Sequence, residues 1–154
     1  MSTAIRWMLA ASHLLALGIG LGAVWARSRA LEGTLDAAGL KRVFHADTWW
    51  GVAAIIWIGT GLVRLFGAWE KSTGYYLENR LFWVKMALLL VILLLELAPM
   101  IALIRWRVAL ARGGTPDVSR AHRFAATSMV QAVLVLLMVI AATGMARGYG
   151  VAAP

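Results

Sequence analysis

The sequence predicts an all-α integral membrane fold: a four-transmembrane-helix bundle, with a short amphipathic interfacial helix between helices one and two. Three observations carry this. Of 154 residues, 62% are hydrophobic and only 14% charged, with a mean hydropathy of +0.78, which is too apolar for a water-facing surface. Four apolar stretches, residues 4–26, 46–67, 81–104 and 124–146, each have the length of roughly 20 residues that a helix needs to cross the hydrocarbon core. The basic residues alternate between the two ends of those stretches, which is the third.

The net charge is +8. Nine basic residues (Arg27, Arg29, Lys41, Arg42, Arg105, Arg107, Arg112, Arg120, Arg123) fall in the segments after spans one and three, against four (Arg6, Lys71, Arg80, Arg147) on the other side. Positive loops stay in the cytoplasm. The expectation is therefore a multi-pass protein of a bacterial cytoplasmic (inner) membrane with both termini outside. The basic balance reports topology and anionic-lipid contact, not a nucleic-acid partner. With no cysteine, disulfides, thiolate metal sites and thioether-linked haem are excluded.

Helix one has only Arg6 before its apolar run and Arg27 and Arg29 directly after it. That order favours a retained helix over a cleaved signal, although Val24-Trp25-Ala26 loosely resembles a cleavage site. Ser12, Ala16 and Gly20 recur every four residues, and Gly18 and Gly22 form a second small-residue pair; such stripes let helices approach closely. In the following loop, Leu31, Leu35, Ala38 and Val43 space out the apolar face of the interfacial helix. Helix two places Trp50, Ala53, Trp57, Thr60 and Arg64 on one face. Trp69, Tyr75 and Tyr76 are interfacial belt residues. Helix three is expected to run on to Arg112 and stop at Gly113-Gly114. Thr115-Pro116 then reads as an N-cap followed by a first-turn proline of helix four.

Ionisable groups within a span are functional candidates by default. They are His13, Arg64, Lys85 and Glu96, with Gln131 as a milder case and His45, Asp47 and His122 at the basic end. At 1.5 Å per residue, His13 lies about 13 Å below the outer surface and Lys85 about 6 Å. Arg64 and Met138 share this outer half. Lys85 and Arg64 are alternatively snorkelling anchors, and His13 an imidazole bonded to a neighbouring helix. Glu96 follows Lys85 by eleven residues, on the same face, and either is protonated or pairs with a base.

The outer set matches the needs of haem b: an imidazole for iron (His13), small residues against the macrocycle (Ala16, Gly20), and cations for propionates (Arg64, Lys85). Met138, or nothing, is the sixth ligand. Lys85 or Glu96 is a candidate catalytic base for tetrapyrrole oxidation. Copper is the alternative cofactor, through Met8, His13, Met86 and Met138. A third reading is an accessory subunit of a larger membrane complex, or a homo-oligomer, whose polar groups specify packing. Phosphate-loop, serine-nucleophile and zinc-helix motifs are missing from the sequence.

The segments "DTWWGVAAIIWIGTGLVRLFG", "GYYLENRLFWVK" and "MARGYG" resemble the small membrane proteins grouped as domain of unknown function 2214, over nearly the whole chain. That resemblance implies the architecture and no activity. More distantly, a helix-one histidine and a lysine opening helix three are similar to HemJ-type protoporphyrinogen oxidases, and the layout to the copper-resistance protein D group. The oxidase resemblance implies functional roles for His13 and Lys85 and an association with haem b.

Overall fold

The computed structural model describes residues 2–67 and 72–151. The belt residue Trp69 and the outer-side Lys71 lie outside them. Five helices follow in order: α1 (Thr3–Glu32), α2 (Ala37–Phe66), α3 (Thr73–Glu78), α4 (Arg80–Ala111) and α5 (Ala121–Ala146). Among the described residues, α1, α2, α4 and α5 are long and apolar enough to cross a membrane.

The amphipathic stretch is not a separate helix. Leu31 closes the last turn of α1, and Ala38 and Val43 belong to the first turns of α2, which continues unbroken into the membrane. The turn between them is set by local chemistry. Asp36 caps α2 by accepting the Gly39 backbone N–H at 2.7 Å, the usual way to satisfy a helix's first donors. A Cβ at Gly39 would overlap the Thr34 carbonyl, so this reversal requires glycine.

At the far end of α4 the expected stop is present. The Gly113 and Gly114 amides bond Leu110 and Ala109 carbonyls at 3.0 and 2.9 Å, with Gly113 at φ +75°; this is a Schellman closure. Helix four of the sequence reading begins later than Thr115-Pro116 suggests, at Ala121. Asp117 Oδ1 accepts the Ser119 amide at 3.0 Å, and such a side-chain turn competes with helix formation.

The outer connection holds α3, capped by Ser72, and it ties down the chain's last described turn. Tyr75 Oη donates to the Met145 carbonyl, and the buried Asn79 side chain donates to the Tyr149 carbonyl. Gly150, at φ +85°, lies so close that a Cβ would come within 2.6 Å of Asn79 Oδ1. The quoted "GYYLENR" and "MARGYG" segments are thus two halves of one contact.

Packing runs α2–α1–α5–α4, with α1 and α5 central, while α2 and α4 meet mainly through side chains. The single face foreseen for α2 is the one turned inward: Trp50 and Ala53 are buried and Trp57, Thr60 and Arg64 half-buried. Ala16 and Gly20 are buried against it, and a Cβ on Gly20 would lie 3.3 Å from the Ala53 Cβ. The core forms two apolar layers. One contains Leu31, Val43, Leu103 and Phe124; the other contains Val24, Trp50, Ile92, Val135 and Met138.

Candidate functional site

Between those two layers, at one level of all four long helices, lies a band of charge. Its centre is Arg27. By sequence Arg27 falls among the loop charges, but it is the sixth-last residue of α1, and its side chain is 0% exposed. A guanidinium has five N–H donors, and here each has an acceptor. Nε donates to Ser128 Oγ at 3.0 Å. Nη1 donates to Asp47 at 2.9 Å and Glu96 at 2.7 Å. Nη2 donates to the second Glu96 oxygen at 2.7 Å and to Gln131 at 2.9 Å.

The carboxylates are equally engaged. Glu96 also accepts from Gln131 Nε2 at 2.8 Å, and Asp47 accepts from Arg107 at 2.9 Å. Arg107 in turn lies over the Phe44 ring, 4.9 Å from its centroid, and donates to the Phe44 carbonyl. Two cations and two anions cancel. That neutrality, with every Arg27 donor matched, is what lets ions persist in a medium that penalises unpaired charge by several kcal/mol. Helices α1, α2, α4 and α5 are therefore cross-linked at this one level.

The second polar group lies around His13 on α1. Its Nδ1 is 2.8 Å from Thr60 Oγ1 on α2, its ring is 5.9 Å from that of Trp57, and its edge rests against Gly61. Thr60 Oγ1 donates to the Ile56 carbonyl at 2.7 Å. With its proton so used, the hydroxyl accepts from His13 Nδ1–H, and Nε2 is the basic ring nitrogen. Trp57 Nε1 is buried without a hydrogen-bond partner. Lys85 and Arg64, both half-buried, are near enough to act on each other electrostatically.

The structure thus brings His13, Arg64 and Lys85 to one end, as their depths require, and separates Glu96 from them. Glu96 and Lys85 share a face, but eleven residues of helix put about 16 Å between them, and both Glu96 oxygens are engaged by Arg27. Gly20 faces α2, so what it accommodates is Trp50 and Ala53, and Ala16 is buried one turn before it. Met138 is 2% exposed within the apolar core, whereas Met8 is 56% exposed and Met86 half-buried. Among the described residues, no three His, Asp or Glu side chains cluster as metal ligands do. His45 is not paired with Asp47: it is exposed and accepts a hydrogen bond from Trp49 Nε1 at 3.1 Å. His122 is exposed at the start of α5.

Arg27, Arg107 and Ser128 are the residues that sequence reasoning missed. Arg27 was legible in principle, because Ala16, Gly20, Val24, Arg27 and Leu31 recur at three- and four-residue spacing on the buried face.

No curated protein and no solved structure matches the chain. The resemblances to HemJ-type oxidases and copper-resistance proteins therefore gain no support. The match to predicted membrane proteins of the domain of unknown function 2214 extends over residues 5–150. Four apolar spanning helices, tied by one charged layer and by the paired 75–80 and 145–150 segments, are the form it takes here, and the chain belongs to that family.

Proposed function

We propose that the protein is a membrane-embedded cofactor carrier, with a fixed charge-locked half and a binding half around His13, and that the cofactor is haem b, serving electron transfer or tetrapyrrole oxidation. The single observation that carries this is the His13–Thr60 hydrogen bond. It holds Nδ1–H on a neighbouring oxygen and leaves Nε2 basic, the arrangement by which proteins orient an imidazole for a metal.

The fit of the other residues is uneven, and it changes their roles. Arg64 and Lys85 supply cations at the same end for two carboxylates. The buried Trp57 N–H is a further donor in want of an acceptor. Ala16 and Gly20, closed by α2, act by bringing Thr60 against His13 and do not support the ring. Met138 is committed to the core, so His13 is the one residue that would hold the iron in this reading. Haem, when bound, would supply the one-electron chemistry; the chain supplies the ligand, the counter-charges and exclusion of water. Lys85 is the remaining candidate base, since Glu96 is engaged elsewhere.

A second reading has its own observation. The fully matched Arg27 cluster is a packing device, which is what an accessory subunit of a larger membrane complex would need. The copper reading has no comparable observation behind it, since Met138 is enclosed in the apolar core and Met8 is exposed. We place the protein in a bacterial cytoplasmic membrane with both termini outside, on the distribution of its basic residues.

The test is absorption spectroscopy of the protein purified in mild detergent from cells supplied with ample haem. The expected result is a Soret band, with sharp α and β bands after dithionite. A featureless visible spectrum would overturn the haem reading and leave the accessory one.

A further inference from the structure

Away from both polar groups, the outer surface of α1 is cut by two grooves. The first, about 940 Å³, lies between α1 and the start of α2. Its basic end is formed by Lys41, Arg42 and His45, with Arg29 beside them, and its apolar end by Ile19, Gly22 and Ala26. The second, about 470 Å³, lies between α1 and α5 and is almost wholly apolar, reaching from Trp25 and Met129 to Gly18 and Leu136. Gly22 and Trp25 line both. Nothing lies within 4 Å of where a Cβ on Gly18 or Gly22 would stand. This glycine pair is therefore not an internal helix contact but a low saddle joining two furrows.

We propose that this surface is a binding site for one anionic glycerophospholipid, its phosphate at Lys41, Arg42 and His45 and its two acyl chains in the two grooves astride Gly22 and Trp25. Three features argue for that occupant. The first is length. From Arg29 to Ile19 the groove follows ten residues of helix, about 15 Å, which is half of the roughly 30 Å hydrocarbon core and so one leaflet. The second is charge. Arg29 is neutralised by Glu32 at 2.6 Å, but Lys41 and Arg42 make no ion pair among the described residues. Basic pockets between helices at this level select anionic headgroups.

The third is the donor at the rim. His45 Nε2 accepts from Trp49, so the neutral ring carries its proton on Nδ1, as a donor. A second copy of the chain is the rival occupant, since small-residue pairs also dimerise helices. It would set Lys41 and Arg42 of each copy near the same bare groove, where the nearby carboxylates are Glu32, paired with Arg29, and Asp36, which caps α2.

The experiment is native mass spectrometry of the full chain released from vesicles of equal phosphatidylglycerol and phosphatidylcholine. We expect one phosphatidylglycerol retained in preference to phosphatidylcholine, with excess inorganic phosphate failing to displace it. Lys41→Gln and Arg42→Gln should each weaken retention about fivefold, the effect of one surface charge. Gly22→Leu, which fills the saddle and leaves the charges, should abolish it. Equal retention of both lipids, or unchanged retention in the Lys41→Gln/Arg42→Gln double variant, would overturn the proposal. So would a dimer that Gly22→Leu converts to monomer, for then the occupant is another copy. Helix content by circular dichroism separates these outcomes from misfolding.

Discussion

Arg27 and Glu96 face each other through two parallel hydrogen bonds of 2.7 Å, across 69 residues of sequence. The pair joins a central helix, α1, to a lateral one, α4, and Asp47 extends it to α2. This explains how α2 and α4 hold position when their backbones do not pack closely.

Removing the guanidinium leaves Glu96 without a counter-charge in an apolar layer, while Asp47 keeps Arg107. Arg27→Met should therefore destabilise the bundle by about 3–5 kcal/mol. The combined change Arg27→Met, Glu96→Gln should cost much less, because it removes the uncompensated charge and leaves the Asp47–Arg107 pair intact. Unfolding in mixed micelles measures both. Equal losses in the single and double variants would show that hydrogen bonding, not charge balance, dominates the layer.

The two glycine stripes on α1 should respond in opposite ways. A Cβ on Gly20 would stand 3.3 Å from the Ala53 Cβ and 3.5 Å from the Trp50 ring, so Gly20→Leu overpacks the α1–α2 contact and should cost about 1–3 kcal/mol. Gly18→Leu projects into open space and should leave stability unchanged or slightly higher. Thermal unfolding of the two variants in one detergent distinguishes them.

Thr60 should matter to the cofactor without touching it. Thr60→Val removes the acceptor that holds His13 Nδ1–H, and loss of such an orienting group lowers metal affinity by about 10–100-fold. Haem titration followed at the Soret band gives the affinity. A variant that binds as tightly as the unaltered protein would remove Thr60, and the tautomer argument, from the account.

The loop between α4 and α5 carries a local titration. A hydrogen bond from the Ser119 side chain, with its backbone N–H and Arg120 assisting, holds the exposed Asp117 carboxyl below its ordinary range. A carboxyl lowered on folding adds stability that is present above its unfolded value and is lost as pH falls through the lowered folded one. Ser119→Ala should shift the Asp117 midpoint upward, toward that of a free carboxylate, in a pH titration followed by NMR. An unmoved midpoint would assign the shift to the Ser119 backbone N–H and Arg120.

Much of this fold is written in patterns that one helix can display by itself. Apolar length located the four spans, the Gly113-Gly114 stop is local chemistry, and a three-four spacing put Trp50, Ala53 and Trp57 on the face of α2 that turns inward. The depth arithmetic likewise brought His13, Arg64 and Lys85 to one end. What was not legible depends on more than one helix. Arg27 resembles any other basic residue after a span until Glu96, Asp47 and Gln131 arrive from three other helices. Glu96 stayed open between a protonated acid and a carboxylate paired with a base for the same reason, and Arg27 is that base. The partner of the Ala16–Gly20 stripe could have been a macrocycle or a helix, and only the packing order identifies it as α2. The start of α5 was misplaced because an Asp117–Ser119 turn competes with the helix signal of Thr115-Pro116.

The central claim is a division of labour: the Arg27 layer holds the bundle together, and the His13 end binds the cofactor. The most direct test is the haem content, per folded molecule, of His13→Ala and Glu96→Gln proteins purified side by side. The account predicts that His13→Ala folds but carries no haem, while Glu96→Gln, though less stable, keeps its full complement. Haem retained by His13→Ala, or lost from a folded Glu96→Gln protein, would contradict it.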